Sequence, residues 1–221
     1  GYQSRFYTGS NADFDNEGKV MRALGVDSIV SERDFGPSYQ RSNEWGYADR
    51  DLLRLALARE RKALAAPGAA PYVSIIQTTG MHTPFTFPGQ AAYREKVAQR
   101  VAELKLPALP EYGGQRDIFA SILYLDDALR MFFEQAATLP GYDNTIFVVT
   151  GDHRLPELPM QTRIERYHVP LIVYSPLLNG PRAIKSVSSQ FDLAPSLLAM
   201  LANRHGVKTP AQVTWVGTGL D

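Results

Sequence analysis

Hydrophobic residues recur along the chain with two different spacings, one typical of helices and the other typical of buried strands. Apolar side chains three and four residues apart, with charged residues between them, predict helices. Short runs that are apolar and rich in β-branched residues predict strands buried on both faces. The predicted helices cover residues 49–64, 91–104, 116–137 and 191–202. The predicted strands cover residues 72–76, 145–150 and 169–174.

The order of these elements predicts an α/β fold. Strands alternate with helices, and strands that are apolar on both faces need cover on both sides, so we expect a mostly parallel β-sheet flanked by helices. In sheets of this kind, ligands bind beyond the carboxyl ends of the strands. Site chemistry is therefore expected just after Gln77, Thr150 or Tyr174.

Composition narrows the class of protein. The chain has 221 residues, of which 23 are basic and 23 acidic, so its formal net charge is zero and no global field draws it to nucleic acid. It contains no cysteine, which excludes disulfides, zinc–thiolate sites and a thiol nucleophile. Its longest apolar runs fall far short of the ~20 residues that a membrane span needs. The sequence opens on Gly1 rather than on methionine, and we expect it to be a piece of something longer.

The sharpest candidate for chemistry is Gly151-Asp152-His153, directly after the strand predicted at residues 145–150. Glycine permits a sharp turn there, and the next two residues present a carboxylate and an imidazole at the sheet edge. An Asp oxygen and a His nitrogen suit Zn²⁺ or Mn²⁺. The structural alternative is that Asp152 caps a turn and His153 is a surface residue. The position directly after so clear a strand favours the metal.

A second histidine follows another predicted strand. His82 lies beyond the strand at residues 72–76 and reaches the same sheet edge if the strands are parallel. An imidazole there can bind a phosphate or sulfate oxygen, or act as a general acid. The structural alternative is a loop histidine bonded to a backbone carbonyl. Convergence of two histidines favours the functional interpretation, since the chain has only four.

The other candidate residues carry weaker signals. His168 precedes the third predicted strand, and it either folds back over the site or lies in a solvated loop. His205 follows a helix end and is assigned no function. Asp126 and Asp127 are neighbours in a helix and point about 100° apart, so they cannot form an acid–base dyad.

Several stretches of the chain occur together, in order, in a known family. They are Phe6-Tyr7-Thr8-Gly9 with Phe14-Asp15-Asn16, Trp45-Gly46 with Asp49, His82-Thr83-Pro84-Phe85, the segments 124–129 and 169–172, the Gly151-Asp152-His153 motif, and the segment 189–198. This series resembles the alkaline phosphatase/sulfatase superfamily. The closer likeness is to its lipoteichoic acid synthase branch, whose members transfer phosphoglycerol or related groups. The resemblance covers nearly the whole chain.

The resemblance implies an alkaline phosphatase-like fold, with residues 1–221 forming the C-terminal part of the catalytic domain. It implies that Asp152 and His153 are two of four ligands to a divalent metal, Mn²⁺ or Zn²⁺ with Mg²⁺ as an alternative. It also implies that His82 is the catalytic histidine that contacts the substrate's phosphate, and His168 is assigned to the substrate as well. The other two ligands, an acidic residue and the threonine nucleophile, lie upstream of the Phe-Tyr-Thr-Gly segment in this family, as do the membrane-spanning helices.

Further expectations follow from that upstream position. The isolated chain should be inactive and need no membrane contact, and its main partner would be the missing N-terminal half of the domain. The whole protein should be anchored, facing the periplasm or the cell exterior, and act on a phospholipid headgroup or another sulfo- or phosphoester of the envelope, of the phosphoglycerol or phosphoethanolamine type. Gram-positive members carry substrate-contacting His, Trp and Arg residues where this sequence has Thr8, Asp15 and Glu17. The transferred group is therefore left open.

Three functions remain at this point. The first is the C-terminal portion of a metal-dependent phospho- or sulfoester transferase or hydrolase. The second is a non-catalytic binding or scaffold domain that keeps the fold and has lost the activity. The third is a self-sufficient hydrolase with a single metal held by Asp152, His153, His82 and His168, each donor atom about 2.0–2.2 Å from the ion.

Overall fold

The computed structural model describes residues 1–105 and 115–220. Their contacts divide the chain into two compact units, Gly1–Leu177 and Leu178–Asp221. In chain order, the elements of the first unit are β1 (Gln3–Thr8), α1 (Glu17–Ala23), β2 (Ser28–Val30), β3 (Arg41–Asn43), β4 (Gly46–Tyr47), α2 (Asp49–Leu64), β5 (Tyr72–Gln77), α3 (Gln90–Glu103), α4 (Arg116–Ala136), β6 (Phe147–Thr150) and β7 (Leu171–Tyr174).

The centre of the first unit is a three-stranded parallel sheet in the order β2-β1-β5. Helix α2 covers one face of this sheet. Its side chains Leu52, Leu55 and Ala56 are buried together with Tyr7 of β1 and Val30 of β2. The predicted α/β class, a parallel sheet flanked by helices, is confirmed.

A buried carboxylate also ties α2 to this sheet. Glu60 is 5% exposed and accepts hydrogen bonds from the hydroxyls of Tyr7 and Ser74, both at 2.6 Å. Its other oxygen forms an ion pair with Arg5 at 2.8 Å. Burial and the hydrogen bond to Glu60 raise the pKa of Tyr7 well above its ordinary value. Glu60 thus has charge and hydrogen-bond partners on two neighbouring strands.

A second apolar cluster joins the helices on the flank of the sheet. It contains Ala48, Phe87, Val97 of α3, and Ala120 and Tyr124 of α4. The rings of Phe87 and Tyr124 are stacked, with centroids 4.4 Å apart. This cluster fixes the start of α2 and the segment after β5 against α3 and α4.

The strand β7 differs from the predicted topology. It pairs with β6 in antiparallel fashion, with Thr150 opposite Leu171 and Phe147 opposite Tyr174. A parallel neighbour requires a crossover that carries the chain back to the other end of the sheet, usually as a helix. The connection at residues 151–170 contains only a short 3₁₀ turn, Ile164–Tyr167, so the chain returns directly in the opposite direction.

The second unit is built around α5 (Leu193–His205). Asp192, just before this helix, accepts the backbone N–H groups of Ser189 at 2.7 Å and Thr218 at 2.9 Å. These hydrogen bonds, with that of Ser189 the strongest, lower the pKa of Asp192. The carboxylate thereby holds the last residues of the chain beside the start of α5. In the described parts of both units, none of the helices combines the length and apolarity that crossing a bilayer requires.

Candidate functional site

The loops that follow β5 and β6 meet at one edge of the first unit. The hydroxyl of Thr83, next to His82, donates to Oε1 of Glu157 at 2.9 Å. The side-chain amide of Gln115 donates to the backbone carbonyl of Glu157 at 3.3 Å. The loop that carries His82 is therefore joined to the loop that begins with Asp152 and His153.

The His82 loop is held by a buried carboxylate at the start of α2. Oδ1 of Asp49 accepts the backbone N–H groups of Thr79 at 2.9 Å and Gly80 at 3.1 Å. Asp49 is 1% exposed, and burial raises its pKa to about 6 although these two hydrogen bonds oppose the rise. The turn then continues through a hydrogen bond from the N–H of His82 to the carbonyl of Thr79 at 3.0 Å.

Aromatic rings line one side of His82. The imidazole meets the indole of Trp45 edge-on, with centroids 5.5 Å apart, and Trp45 in turn meets Phe14 at 5.4 Å. Trp45 is 40% exposed and Phe14 57% exposed. The sequence pattern did not predict this cluster, although it singled out both the Trp45-Gly46 and the Phe14-Asp15-Asn16 segments. The imidazole therefore stands between an aromatic surface and solvent.

In both candidate site histidines, Nδ1 faces the backbone carbonyl of the next residue. Nδ1 of His82 lies 2.7 Å from the carbonyl oxygen of Thr83, and Nδ1 of His153 lies 2.7 Å from that of Arg154. A carbonyl oxygen can only accept, so Nδ1 carries the proton in both rings. In the neutral ring, Nε2 then has no proton and carries a free lone pair. With this lone pair a histidine binds a metal or accepts a proton.

Asp152 and His153 offer two donor atoms of the kind that divalent metals bind. Oδ2 of Asp152 lies 3.7 Å from Nε2 of His153, and Oδ1 accepts the N–H of His153 at 2.8 Å. Two ligands about 2.1 Å from one tetrahedral ion lie roughly 3.4 Å apart. The spacing and chemistry of this pair therefore fit two positions of a divalent-metal site. Over residues 1–105 and 115–220, no group of three His, Asp or Glu side chains converges as a metal site would require.

The self-sufficient one-metal site is not formed. Asp152, His153, His82 and His168 all lie within the described residues, and they do not gather around one point. His168 is exposed at the end of the turn before β7, and its N–H donates to the carbonyl of Glu165 at 3.1 Å. Its predicted contact with substrate stays a prediction.

The three positions at which the sequence departs from the family pattern lie in different surroundings. Thr8 is fully buried, and its hydroxyl accepts the N–H of Ser10 at 3.2 Å. Glu17 is hydrogen-bonded to Gln77 at the end of β5, while its partial burial raises its pKa. Asp15 has a left-handed backbone with φ 49° and is exposed. Of the three, Glu17 makes a side-chain contact with the carboxyl end of β5.

Comparison with known proteins identifies the family. The model of the sulfatase family matches residues 1–203. The lipoteichoic acid synthase-like protein YvgJ of Bacillus subtilis is 21% identical over 233 residues, covering 96% of this chain and 34% of that protein.

Solved structures share the fold. A protein of the alkaline phosphatase superfamily from Vibrio parahaemolyticus matches with a TM-score of 0.69 and 25% identity over 91% of this chain and 45% of that one. The lipoteichoic acid synthase LtaP from Listeria monocytogenes matches with a TM-score of 0.75 and 21% identity over 98% of this chain and 52% of that one. The phosphoglycerol transferase GacH of Streptococcus pyogenes, solved with sn-glycerol-1-phosphate, matches with a TM-score of 0.60 and 16% identity over 97% and 57%.

The chain therefore spans about a third of the curated relative and about half of each of these solved structures. The family model, in contrast, matches nearly the whole of the chain itself. The fold, the order of the motifs and this match agree. The chain belongs to the sulfatase family, within the alkaline phosphatase superfamily.

Proposed function

We propose that residues 1–221 form the C-terminal part of the catalytic domain of a metal-dependent enzyme that transfers or hydrolyses phosphoesters or sulfoesters. The observation that supports this most is the hydrogen bond from Thr83 to Glu157, because it joins the His82 loop to the Asp152–His153 loop at one edge. Family membership and the relatives named as a lipoteichoic acid synthase and a phosphoglycerol transferase support the same class of reaction. The substrate class is an envelope ester of the phosphoglycerol or phosphoethanolamine type.

In this proposal Asp152 and His153 hold a divalent cation, Mn²⁺ or Zn²⁺ with Mg²⁺ as an alternative. A cation bound there supplies Lewis-acid stabilisation of a phosphoryl or sulfuryl oxygen. The carbonyl of Arg154 keeps the proton of His153 on Nδ1, so that Nε2 stays available on the side of Asp152. The two donors make up half of a four-coordinate site, and the remaining ligands and the threonine nucleophile belong to parts of the domain outside these residues.

His82 contacts the substrate's phosphoryl or sulfuryl oxygens in the protonated form. Its Nδ1–H donates to the carbonyl of Thr83, so a hydrogen bond to the substrate needs a second proton on Nε2. The imidazolium then balances negative charge that develops on those oxygens. Trp45 and Phe14 limit the orientations of the ring, and Asp49 fixes the turn that carries it. His168 is proposed as a further substrate contact from the connection before β7.

The whole protein is proposed to be membrane-anchored, with this domain at the periplasmic or extracellular face. That placement rests on the likeness to lipoteichoic acid synthases. The described residues supply no span of their own.

A second function, a non-catalytic scaffold domain, is favoured by one observation. Thr8 stands at a position where the resemblance implies a substrate contact in Gram-positive members of the family, and it is fully buried. A domain that had lost its substrate contacts in this way would keep the fold and lose turnover. Metal binding by the retained Asp152–His153 pair separates the two functions, because a scaffold has no use for it.

Calorimetric titration of the chain with MnCl₂ and ZnCl₂ tests the proposal. Two donors should give weak binding that His153→Ala abolishes, while His205→Ala, in the second unit, leaves the binding unchanged. Phosphodiesterase activity of the isolated chain should equal that of His153→Ala.

Two results contradict the proposal. One is tight, stoichiometric metal binding by the isolated chain, which two donors cannot provide. The other is binding that persists unchanged in both His153→Ala and Asp152→Ala.

A further inference from the structure

The side chain of Arg154 folds back onto its own loop. Its Nη2 donates to the backbone carbonyls of Leu158 at 2.8 Å and Pro159 at 3.1 Å. Within the same turn, the backbone N–H of Leu158 donates to the carbonyl of Leu155 at 3.4 Å. An arginine that directly follows an Asp–His pair could instead extend toward an anionic substrate. Here its guanidinium is bonded to backbone carbonyls, so Arg154 closes residues 154–159 into a loop.

The backbone of Arg154 also orients the ring of His153. The carbonyl oxygen of Arg154 lies 2.7 Å from Nδ1 of His153. The side chain of Arg154 meanwhile anchors the loop that follows. Because both contacts belong to one residue, a movement of the loop is transmitted to the carbonyl that orients the imidazole.

Thr83 has the same double role beside His82. Its carbonyl oxygen lies 2.7 Å from Nδ1 of His82, and its hydroxyl donates to Oε1 of Glu157 at 2.9 Å. Glu157 belongs to the loop that Arg154 closes, and its backbone carbonyl accepts the side-chain amide of Gln115 at 3.3 Å. Gln115, just before α4, is only 9% exposed. The loop is therefore also anchored to a buried residue at the start of a helix.

We propose that Thr83, Glu157 and Arg154 form one link that sets the position of the His82 ring relative to the His153 ring. The link begins at the Thr83 carbonyl, passes through the Thr83 hydroxyl to Glu157, and ends at the Arg154 carbonyl. A contiguous chain of hydrogen bonds of this kind can carry coupling between two sites. The three are positioning residues, because each acts through a histidine. The inference rests on the proposed function, in which both histidines serve one substrate.

The link acts on the geometry of the proposed reaction. In that reaction the metal held by Asp152 and His153 and the imidazole of His82 approach oxygens of the same phosphoryl or sulfuryl group. A misplacement of about 1 Å between such groups slows catalysis by about a hundredfold. Thr83 and Glu157 are both exposed, so they do not pack in the apolar core. Their hydrogen bond serves to hold the two loops together.

Nuclear magnetic resonance of the metal-free chain tests the link, with ring signals assigned through His82→Ala and His153→Ala. Each substitution is made beside one histidine and followed at the other. Thr83→Val removes the hydroxyl and should shift the ring signals of His153, whereas Thr83→Ser keeps the hydroxyl and should leave them in place. A residue with only a local role would move the signals of His82 alone.

The reciprocal substitution is made at Arg154. Arg154→Met removes the donors to the loop and should shift the ring signals of His82, while Arg163→Met, at an exposed position in the same connection, should not. Glu157→Ala should shift the signals of both histidines. Glu157→Gln removes the charge but keeps an oxygen that accepts from Thr83, so it should retain the parent signals. Unchanged amide exchange in β1 shows that each variant is folded.

Mn²⁺ then reports the distance between the two rings. This paramagnetic ion broadens ring signals in a manner that falls steeply with distance, so His153 reports binding and His82 reports separation. Thr83→Val and Arg154→Met should reduce the broadening of His82 relative to that of His153. If Mn²⁺ leaves His153 unbroadened in the parent chain, the metal site of the proposed function fails, and the metal-free shifts still decide the link.

Three results overturn the link. The first is that the signals of His153 stay in place in both Thr83→Val and Glu157→Ala. The second is that Thr83→Ser shifts them as far as Thr83→Val does. The third is that Arg154→Met moves His82 no further than the exposed control Arg163→Met.

Discussion

The carboxylate of Asp49 lies against the backbone of Gly80 and accepts its N–H through both oxygens, at 3.1 Å and 3.0 Å. The first residue of α2 thereby sets the path of the chain two residues before His82. No side chain fits between them, because a Cβ on Gly80 would collide with the Asp49 carboxylate.

Gly80→Ala should lower the free energy of unfolding by about 1–3 kcal/mol, since the added methyl must push aside a buried carboxylate or the turn itself. The matched control is Gly36→Ala, because a Cβ at Gly36 meets no atom within 4 Å and the backbone there is ordinary. Urea denaturation of both variants measures the effect. Equal stability of Gly80→Ala and the parent chain would contradict the close contact with Asp49.

Asp49→Asn should change how stability depends on pH. Burial raises the pKa of Asp49 from 3.8 to about 6, so the folded chain binds a proton there more tightly than the unfolded chain. The stabilisation is complete below about pH 4 and is lost as the pH rises through about 6, a change on the order of 2 kcal/mol. Asparagine does not titrate. The parent chain should therefore lose stability relative to Asp49→Asn between pH 4 and pH 6, and a constant difference over this range would refute the shift.

Arg5→Met should leave Glu60 buried with its charge uncompensated. Both side chains are largely buried, at 14% and 6% exposure, and removal of one partner from such a pair costs about 3 kcal/mol. Arg33→Met is the control, because Arg33 and Asp13 are 72% and 56% exposed and their ion pair contributes less than about 1 kcal/mol. Thermal and urea unfolding at low and high salt compare the two. Similar losses for both variants would show that Glu60 does not depend on Arg5.

Binding of sn-glycerol-1-phosphate to the chain should depend on the imidazole of His82. The phosphate is proposed to bind at His82, whereas the metal is proposed to bind at His153. Trp45 reports the first event, since its ring lies 5.5 Å from that of His82, and Trp215→Phe removes the other tryptophan of the chain. A fluorescence change that survives His82→Ala would place the anion elsewhere.

Much of the fold follows from periodicity. The helix predicted at residues 49–64 has the bounds of α2, and the one predicted at 116–137 ends one residue beyond α4. Strand β1 was not predicted, because its first residues Gln3, Ser4 and Arg5 are polar. Arg5 is polar, and its side chain is nonetheless largely buried because it pairs with Glu60, 55 positions away along the chain. The spacing of hydrophobic residues indicates which face of an element is buried. It does not reveal a charged residue that is buried because it pairs with a distant charge.

The candidate site was predictable only in part. A position in the loop beyond a predicted buried strand was enough to single out His82, Asp152 and His153. The contact of Asp49 with the His82 loop could not be predicted. In the sequence Asp49 is an acidic residue at a helix start, and its partners Thr79 and Gly80 lie about thirty residues further on. The contact of the Trp45 ring with His82 was likewise not predictable, because it joins residues that are distant in the sequence. The alternation of strands and helices predicted a mostly parallel sheet. β7 is instead antiparallel to β6, because residues 151–170 contain no crossover helix.

The contacts of the Glu60 carboxylate also depend on the register of β1 and β5. Arg5 and Ser74 are register partners across β1 and β5, and both contact this one side chain. Because side chains alternate between faces, a slip of either strand by one residue would turn its partner for Glu60 toward the opposite face. It would also bury the carboxylate without that partner. One-residue slips between β1 and β5 are thus penalised by a buried charge, so this single side chain helps to select the parallel alignment of the two strands.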